Sequence, residues 1–598
     1  MPPTFRTFLQ SLHDQGAIDP FAWHFAETVA KTAPGGPANM PDYLFLAAAL
    51  VAQNTIVHKH VCLTLTPDLK MAALLSYDNA HDEPDPEPDA NSGLPADLIE
   101  LLQSDECSFA VAVADADSGN ASFKPLILEE NRLYLQRYWV CENLCAEALR
   151  SRANAKPDAP PEDAAIRALT RLELDPDQIA AIRQAVSGKF CVITGGPGTG
   201  KTTIVGVVLT LLLRKDPQQN ICMCAPTGKA QAQLKEALDS EVKNNLTLAA
   251  DDPARIRLEQ LSPFTIHRLL RINPVTGVCG HNRANPLLAD TLLVDEVSMV
   301  DLPMLVKLLD AMPPGCRLIL LGDKDQLAAV ETGAALVEMC AAWQDRPPVA
   351  RLTRSHRFAA DSGIGRLKDV VNRGAADEAW EILSSADAAL DLAPPPISTD
   401  ACARALETYL KGHPFRAYLQ AETPAAALEH FNSFRILCAT RFGPCGVNTI
   451  NFCVQRLLGV KTYGHGYPVM VTVNDYARRL FNGDIGICFE DPQSGAVRIW
   501  FPDPENPRAY RSFGTAELPG HTPVFAMTVH KAQGSGFNEV LLILPPRDNP
   551  VLTRELVYTG ITRARTRCTV WTERAIFEKC VLTPARRMSG LKAKLLSN

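Results

Sequence analysis

A glycine-rich stretch, VITGGPGTGKTTI at residues 192–204, contains the clearest chemical motif of this sequence. It fits G-x-x-x-x-G-K-[ST], with an apolar strand before it and a helix after it. Glycines let backbone N–H groups turn toward phosphates, the lysine reaches the β- and γ-phosphates, and the hydroxyl holds Mg²⁺. The motif therefore predicts a site for ATP and Mg²⁺. The predicted contacts are Gly195, Gly196, Pro197, Gly198, Thr199, Gly200, Lys201, Thr202 and Thr203, with Thr202 on the metal.

Polar side chains follow two further apolar runs. In TLLVDEVSMVD, Asp295 ends the run and is predicted to hold Mg²⁺, and Glu296 is predicted to orient or deprotonate the attacking water. In LLGDKDQL, Gln326 is predicted to touch the γ-phosphate or the water. A solvated carboxylate pair and a surface glutamine are the alternatives. The phosphate motif upstream favours the catalytic interpretation.

These residues need a scaffold that gathers strand ends. From about residue 170, the apolar runs FCVITGG, NICMCAPT, DTLLVDE and RLILLGD alternate with helical stretches, and FRILCAT, EVLLILP and RCTVWTE repeat this style. Near-continuous apolar runs indicate parallel sheets covered on both faces, with ligands at the carboxyl ends of the strands. We predict an α/β protein with two such domains, at 165–350 and 351–598.

The first 150 residues predict a mainly helical domain without a catalytic constellation, which we interpret as a docking domain. DYLFLAAALVAQNTIVHKH predicts a core helix, and NRLYLQRYWVCENLCAEALRSR at 131–152 predicts another. Three proline-rich stretches, at 76–93, 154–165 and 392–401, predict loops or links.

Composition restricts the possible partners. The 598 residues have a net charge of −8, whereas a chain that coats nucleic acid is usually basic, so a phosphate backbone would need a local groove. No run of 18 uncharged apolar residues predicts a membrane span, and the N-terminus lacks a secretory signal pattern. The 17 cysteines form no CxxC pair, which favours buried thiols over zinc ligands or disulfides.

Ten motifs between residues 174 and 565 resemble, in identity and order, superfamily 1 helicases of the 5′→3′ class. Within that class the chain most resembles the RecD family, the α subunits of exodeoxyribonuclease V (RecBCD). Weaker similarity in HVCLTL and LYLQRYWVCENL extends it over most of the chain. The ten motifs are LDPDQIAAI, GGPGTGKTT, CAPTGKAQAQL, TIHRLL, LLVDEVSMVD, LGDKDQLAAVETG, LTRSHRF, FNGDIGI, MTVHKAQGSGF and VYTGITRAR.

The resemblance implies roles for individual residues. Gln178 would contact the adenine edge, and Arg357 and Arg563 would reach the γ-phosphate from the second domain, where a guanidinium stabilises spreading negative charge. The alternative for each arginine is a surface ion pair. Hydroxyl, amide, imidazole and cationic side chains in three motifs suit phosphate and sugar contacts with single-stranded DNA, although the histidines could be structural and Lys531 and Gln533 could orient loops. These residues are Thr227, Lys229, Thr265, His267, Thr528, His530, Lys531, Gln533 and Ser535.

The resemblance also implies an architecture and an activity. It implies two RecA-like P-loop motor domains, a small 1B insertion at about 272–287 that could separate strands, and an SH3-like 2B insertion at about 455–522. The activity would be that of an ATP-dependent 5′→3′ DNA helicase and single-stranded DNA translocase. It would act in a heterotrimer with RecB-like and RecC-like subunits that processes double-strand DNA ends for recombinational repair in the bacterial cytoplasm.

Two other classes stay open at this point. One is an Upf1-like RNA helicase, although the zinc modules frequent in that branch are absent from the sequence. The other is a non-translocating P-loop protein such as a kinase or switch ATPase, which leaves TVHKAQGS and TRAR unexplained. A structural subunit with a vestigial motor is disfavoured because every predicted catalytic residue is present.

Overall fold

The structure is a computed structural model of the chain. It describes residues 5–14, 16–66, 95, 97–114, 123–329, 331–344, 346–357, 362–475, 477–491, 494–503 and 509–597. The predicted loop at 76–93 lies outside these residues. None of the described helices is both long and apolar enough to span a bilayer.

The N-terminal region is largely helical, as predicted, and it also contains a four-stranded sheet that was not predicted. Strands β1 (Cys62–Thr64), β2 (Val111–Val113), β3 (Leu126–Glu129) and β4 (Arg132–Leu135) form it in the order β1-β4-β3-β2. The helices of this region are Phe5–Asp14, Pro20–Lys31, Asp42–Ile56, Leu98–Gln103 and Gln136–Ala153.

The prediction of a helix from residue 131 was wrong at its start. Residues Arg132–Leu135 pair antiparallel with β3, and the helix begins only at Gln136. A tight turn causes this difference, because Glu130 adopts a left-handed φ of 52° and reverses the chain between β3 and β4. The apolar residues of β4 then face the core as a strand.

The first parallel sheet holds the predicted phosphate motif. Its strand order is β10-β5-β9-β8-β6-β7, and every pairing is parallel. The strands are β5 (Phe190–Gly195), β6 (Ile221–Ala225), β7 (Phe264–Thr265), β8 (Thr291–Val294), β9 (Arg317–Gly322) and β10 (Val349–Leu352). The helices around it are Asp163–Arg167, Pro176–Ser187, Lys201–Lys215, Gly228–Ser240, Pro253–Gln260, Ile266–Leu269, Leu302–Ala311 and Ala335–Trp343.

The second parallel sheet has the order β11-β20-β19-β12-β18, again with parallel pairings throughout. Its strands are β11 (Leu390–Ala393), β12 (Phe434–Cys438), β18 (Ala526–Thr528), β19 (Phe537–Ile543) and β20 (Ala564–Trp571). Two parallel α/β sheets are therefore confirmed. The helices of this part are Gly363–Arg373, Ala376–Ser384, Thr399–Leu410, Pro424–Ser433, Val447–Leu458, Arg554–Ile561, Arg574–Leu582 and Leu591–Leu596.

An antiparallel sheet interrupts the second parallel sheet between β12 and β18. Its order is β16-β15-β14-β13-β17, and its turns include Gly483 and Gly495 at left-handed φ values of 97° and 67°. Short strands joined by Asn-Gly and Ser-Gly turns were predicted for this stretch. The strands are β13 (Pro468–Val471), β14 (Ile485–Glu490), β15 (Val497–Pro502), β16 (Tyr510–Phe513) and β17 (His521–Pro523).

The stretch at 272–287, predicted as a small insertion, forms two short turns on the first parallel sheet's side of the molecule. Isolated bridges join Ile272 to Cys279 and Asn282 to Asn285. Val275 is 91% exposed at the tip, which leaves an apolar side chain in solvent.

The segment 583–597 returns from the second parallel sheet to the N-terminal region. The Gly590 N–H and the Ser589 hydroxyl donate to Glu142 Oε1 at 2.9 and 2.7 Å, and the Lys594 ammonium lies 3.5 Å from Glu142 Oε2. Glu142 is fully buried, so these partners offset the cost of removing its charge from water. The end of the described chain is thereby anchored on the N-terminal region.

Glu338 contacts the same segment, and its titration leads to a prediction about the pH dependence of stability. Its Oε2 accepts the Lys592 N–H at 3.2 Å, and burial raises the pKa of Glu338 from 4.5 to about 7. Between these values the folded chain keeps a proton that the unfolded chain has released, so stability falls as pH rises through this range. We expect Glu338→Gln to stabilise the protein by about 1–3 kcal/mol at pH 8 and by much less at pH 5.

Thermal unfolding midpoints of the Glu338→Gln protein at pH 5 and pH 8 measure this effect. Glu407→Gln, which alters an exposed carboxyl on the helix Thr399–Leu410, is the matched control. A shift of equal size at both pH values would contradict the assigned titration.

Candidate nucleotide site between the two parallel sheets

The phosphate motif forms a loop between β5 and the helix Lys201–Lys215. Gly198 and Gly200 adopt left-handed φ values of 78° and 81°, a conformation that glycine reaches without steric cost. The Lys201 ammonium lies inside the loop and donates to the carbonyls of Gly195 and Gly196 at 2.6 and 3.1 Å. The loop therefore points a cation and a helix N-terminus toward the same space.

Gln178 supports this loop from the preceding helix. Its Nε2 donates to the Thr199 carbonyl at 3.2 Å, while its Oε1 accepts the Asp175 N–H in a capping box that begins the helix Pro176–Ser187. Gln178 is buried and lines the cleft next to the loop. Contact with adenine stays a prediction.

Two more loop residues differ in their surroundings. Thr202 lines the cleft, and the Thr203 hydroxyl donates to Glu241 Oε1 at 3.1 Å. The predicted contact of Thr202 with a metal stays a prediction, whereas the Thr203 hydroxyl is used within the protein.

Asp295 and Glu296 follow β8 at the floor of the cleft. Glu296 has a left-handed φ of 52°, and its N–H donates to Asp295 Oδ1 at 2.9 Å. Burial and the adjacent Glu296 charge raise the pKa of Asp295 to about 7. A strained non-glycine residue beside a buried carboxyl is the kind of cost that proteins tolerate at functional sites.

The loop after β9 adds a buried polar cluster that the sequence did not suggest. Gln326 Nε2 donates to Asp323 Oδ2 at 2.9 Å, and the Tyr558 hydroxyl of the second parallel sheet donates to the same oxygen at 3.1 Å. Gln326 Oε1 and the Ser298 hydroxyl are buried and have no hydrogen-bond partner among the described residues. Of these two residues, Gln326 lines the nucleotide cleft, where its free oxygen can accept a hydrogen bond from a ligand or a water molecule.

Two arginines from the second half of the chain line the cleft. Arg357 follows β10 and so enters from the first parallel sheet, not from the second as expected, whereas Arg563 directly precedes β20 of the second sheet. Arg563 is buried, and its guanidinium donates to the carbonyls of Thr559 and Ser535, both at 3.1 Å. Arg357 is exposed toward the cleft, yet desolvation and the charges of Arg563 and Arg565 lower its pKa to about 10. Burial lowers the pKa of Arg563 as well. The repulsion between two neighbouring guanidinium groups favours an anion between them.

The segment with Arg357 packs directly on the phosphate loop. The His356 N–H donates to the Gly198 carbonyl at 2.7 Å, and the Ser355 hydroxyl donates to the Pro197 carbonyl at 3.2 Å. A Cβ added at Gly198 would overlap the Arg357 Cβ and approach the Arg357 nitrogen to 2.9 Å. The backbone of the loop therefore fixes where Arg357 enters the cleft.

We expect Gly198→Ala to lower kcat/KM for ATP by at least about tenfold. The added Cβ would displace Arg357, and the loss of a single transition-state interaction worth about 1.4 kcal/mol already lowers the rate tenfold. The left-handed φ alone costs about 1–2 kcal/mol for alanine. Gly315→Ala is the control, since Gly315 has a φ of 79° with no atom within 4 Å of the added Cβ. Equal ATPase kinetics in the two variants would contradict the importance of this contact.

The residues predicted to bind nucleic acid fall into two groups, and the residues of the first group are exposed or partly exposed except for Thr265, which is buried. Thr227 and Thr265 cap the helices that follow β6 and β7, and Thr528 ends β18. His267 and Lys531 are exposed, and His530 is partly exposed. This group follows β6, β7 and β18 at their carboxyl ends, and its contact with nucleic acid stays a prediction.

The second group joins the two parallel sheets. The Lys229 ammonium donates to the Ser535 hydroxyl at 2.7 Å, and burial lowers the pKa of Lys229 to about 8. Gln533 Nε2 donates to the Leu327 carbonyl at 2.6 Å, which fits the alternative that Gln533 orients a loop. In this arrangement the three predicted side chains contact protein.

Three residues at or next to the cleft were not predicted from the sequence. Arg565 lines the cleft, and Asp323 and Tyr558 form a hydrogen bond next to it. Asp323 follows a strand end, a position that could have marked it, because other carboxylates were chosen on that criterion. Tyr558 and Arg565 lie in VYTGITRAR, but nothing in the spacing of this motif indicates that they cross to the other sheet.

The cleft between the two parallel sheets has a volume of about 700 Å³. Lys201, Arg357, Arg563 and Arg565 give it positive charge, and the glycine loop fits phosphate oxygens. No group of three or more His, Cys, Asp or Glu side chains among the described residues could hold a metal by itself. Fold and site together define a P-loop nucleotide-dependent motor protein of the helicase class.

Comparisons with known proteins are consistent with that class. Three family models match: an AAA domain at residues 178–332, a UvrD-like helicase C-terminal domain at 523–571, and the N-terminal domain of RecBCD enzyme subunit RecD at 14–134. The RecBCD enzyme subunit RecD of Mycolicibacterium smegmatis is 37% identical over 77% of this chain and 82% of its own length. That of Haemophilus influenzae is 34% identical over 70% and 72%.

The chain belongs to the RecD family of RecBCD enzyme subunits, and it is an ATP-dependent DNA helicase. The sequence-based assignment to this family is therefore confirmed. A more distant relative, the ATP-dependent RecD2 DNA helicase of Deinococcus radiodurans, is 31% identical over 73% of this chain, which spans 55% of that protein. Bacteroides Pif1 bound to ssDNA matches with a TM-score of 0.37 at 16% identity, over 68% of this chain and 94% of Pif1.

Proposed function

We propose that this protein is a 5′→3′ single-stranded DNA translocase that hydrolyses ATP with Mg²⁺ in the cleft between the parallel sheets. The observation that carries the proposal is the meeting, in one cleft, of the phosphate loop, Asp295 with Glu296, and two arginines from the second half of the chain. The positive charge of the cleft fits a nucleotide triphosphate, and the unpartnered Gln326 Oε1 can accept a hydrogen bond from the attacking water.

The residues divide the chemical work of hydrolysis. Thr202 and Asp295 would hold Mg²⁺, which neutralises phosphate charge when bound. Glu296 accepts the proton of the attacking water, Gln326 orients that water, and Lys201 binds the phosphates. Arg357 and Arg563 stabilise the negative charge that spreads over the transferred group.

Cleft closure supplies the link between hydrolysis and movement. Arg563 directly precedes β20 of the second parallel sheet, and Lys201 begins the helix after β5 of the first, so a triphosphate that contacts both favours the closed arrangement. The Lys229–Ser535 hydrogen bond joins the sheets near the same cleft. Alternating closure would change the affinity for a DNA strand of the two surfaces, one after β6 and β7 and the other after β18. The protein would then step along the strand.

The proposed path of the DNA strand follows the first group of predicted nucleic-acid contacts. Thr227, Thr265 and His267 lie on the first sheet, and Thr528 and Lys531 on the second. These side chains can contact phosphates and sugars, which are independent of base sequence. In this proposal the antiparallel sheet β13–β17 is the SH3-like 2B insertion over the strand, and the exposed turn around Val275 belongs to the 1B insertion that separates strands.

Assembly follows from family membership. RecD proteins are named as subunits of RecBCD, so we propose RecB-like and RecC-like partners, with the region that matches the RecD N-terminal domain as the docking surface. The complex would process double-strand DNA ends for recombinational repair. The acidic net charge of −8 agrees with DNA contact in a local groove.

Strand displacement with defined tails tests the proposed activity. We expect the full-length chain to unwind duplex DNA with a 5′ single-stranded tail, to fail on a 3′ tail, and to hydrolyse ATP faster when single-stranded DNA is added. Efficient unwinding only from RNA tails would favour an RNA helicase. A rate of ATP hydrolysis that does not change when single-stranded DNA is added would favour a non-translocating ATPase.

A further inference from the structure

The segment 323–329, which follows β9 at the nucleotide cleft, is held from one side by the second parallel sheet. The Leu327 N–H donates to the Thr559 hydroxyl at 3.0 Å, and the Leu327 carbonyl accepts Gln533 Nε2 at 2.6 Å. The Tyr558 hydroxyl donates to Asp323 at 3.1 Å. Both polar groups of the Leu327 backbone are thus fixed by side chains that would move with the second sheet.

Arg587 holds the same segment from the other side. Its Nη2 donates to the Ala329 carbonyl at 3.1 Å, and its Nη1 donates to the carbonyls of Lys59 and His58 at 2.9 and 3.4 Å. One nitrogen therefore faces the nucleotide-side segment, and the other faces the N-terminal region. A guanidinium offers such divergent donors in a rigid plane, which an ammonium cannot do.

Further contacts extend this junction into the N-terminal region. The Gly333 N–H donates to the Lys59 carbonyl at 3.1 Å, and the Lys59 ammonium lies 3.5 Å from Glu331. The Met588 N–H, next to Arg587, donates to His60 Nδ1 at 2.7 Å. The end of the core helix Asp42–Ile56 and the strand β1 lie on either side of this contact.

We propose that Arg587 is a positioning residue that transmits nucleotide-dependent movement of segment 323–329 to the N-terminal region. The proposal rests on the proposed helicase function and deepens it. Gln326 lines the cleft and donates to the buried Asp323, Ala329 lies three residues beyond Gln326, and Arg587 connects Ala329 to Lys59. A change at the cleft therefore has a short hydrogen-bonded route to the proposed docking surface, and movement of a partner on that surface has the same route back.

Hydrogen exchange of the full-length protein tests this route without relying on activity. In the wild type we expect ADP–beryllium fluoride to change amide exchange in residues 58–62. Arg587→Ala and Arg587→Lys should both abolish that change, because neither side chain reaches both sets of carbonyls. Arg586→Ala, which removes an exposed arginine one position earlier, should retain it.

The second measurement is the number of ATP molecules hydrolysed per base pair unwound. We expect both Arg587 variants to keep basal ATP hydrolysis within about twofold of the wild type. They should consume at least about fivefold more ATP per base pair unwound, the lower end of the factors of about 5–150 that allosteric couplings of 1–3 kcal/mol produce. Arg587→Lys keeps the positive charge and the long stem, so it carries the test if Arg587→Ala fails to fold.

The proposal would be overturned if the Arg587→Lys protein showed the wild-type change in hydrogen exchange and the wild-type ATP consumption per base pair. It would also be overturned if nucleotide had no effect on exchange at residues 58–62 in the wild type. Failure of the wild type to unwind any tailed DNA would contradict the proposed function instead. The exchange experiment still decides the role of Arg587 in that case, because it needs only nucleotide binding.

Discussion

Replacing Arg563 by alanine is expected to lower the rate of ATP hydrolysis by about 10³-fold or more, the range that arginine fingers contribute. The Arg563 guanidinium lines the cleft and is aimed by the Thr559 and Ser535 carbonyls, so its charge is positioned before the nucleotide arrives. Translocation should stop with hydrolysis, while binding of nucleotide persists through the phosphate loop. Steady-state ATP hydrolysis with single-stranded DNA measures the loss.

Arg567 offers the matched control for this prediction. It lies on β20, four residues after Arg563, but is exposed and forms an ion pair with Asp391 outside the cleft. Arg567→Ala should therefore keep wild-type hydrolysis. A rate for Arg563→Ala within about tenfold of the wild type, equivalent to 1.4 kcal/mol, would remove Arg563 from the catalytic set.

Replacing Glu296 by glutamine is expected to slow ATP hydrolysis by about 10²–10⁴-fold, the usual contribution of a positioned base. Glutamine keeps the size of the side chain and accepts the same left-handed backbone, but its amide cannot take a proton from the attacking water. Nucleotide binding should persist, because Lys201 and the loop backbone are untouched. Single-turnover hydrolysis separates the chemical step from product release.

Glu236→Gln tests whether any carboxylate near the cleft has this effect. Glu236 lines the rim of the same cleft but is exposed and distant in sequence from the strand ends. We expect it to leave the single-turnover rate unchanged. If Glu296→Gln hydrolyses ATP at the wild-type rate, the attacking water must lose its proton to another group.

Much of the architecture could be predicted from local sequence. Strands β5, β6, β8, β9, β12, β19 and β20 were visible as apolar runs, because a strand buried on both faces of a parallel sheet needs apolar side chains at nearly every position. The four-stranded N-terminal sheet was missed. Its strands have only three or four residues, too few for a periodic pattern, and β4 runs directly into a helix with similar apolar content.

The sequence by itself determined the phosphate loop, the residues that follow β8 and β9, and membership in the RecD family, because each depends on residues close together along the chain or on motifs in a fixed order. Only the tertiary structure decided that Tyr558 reaches Asp323, that Lys229 bonds to Ser535, and that Arg587 joins Lys59 to Ala329. Those partners lie hundreds of residues apart. Local patterns of hydrophobicity and turn residues specify which face of an element is buried, but the packing of whole sheets and helices sets which side chains meet across the boundary.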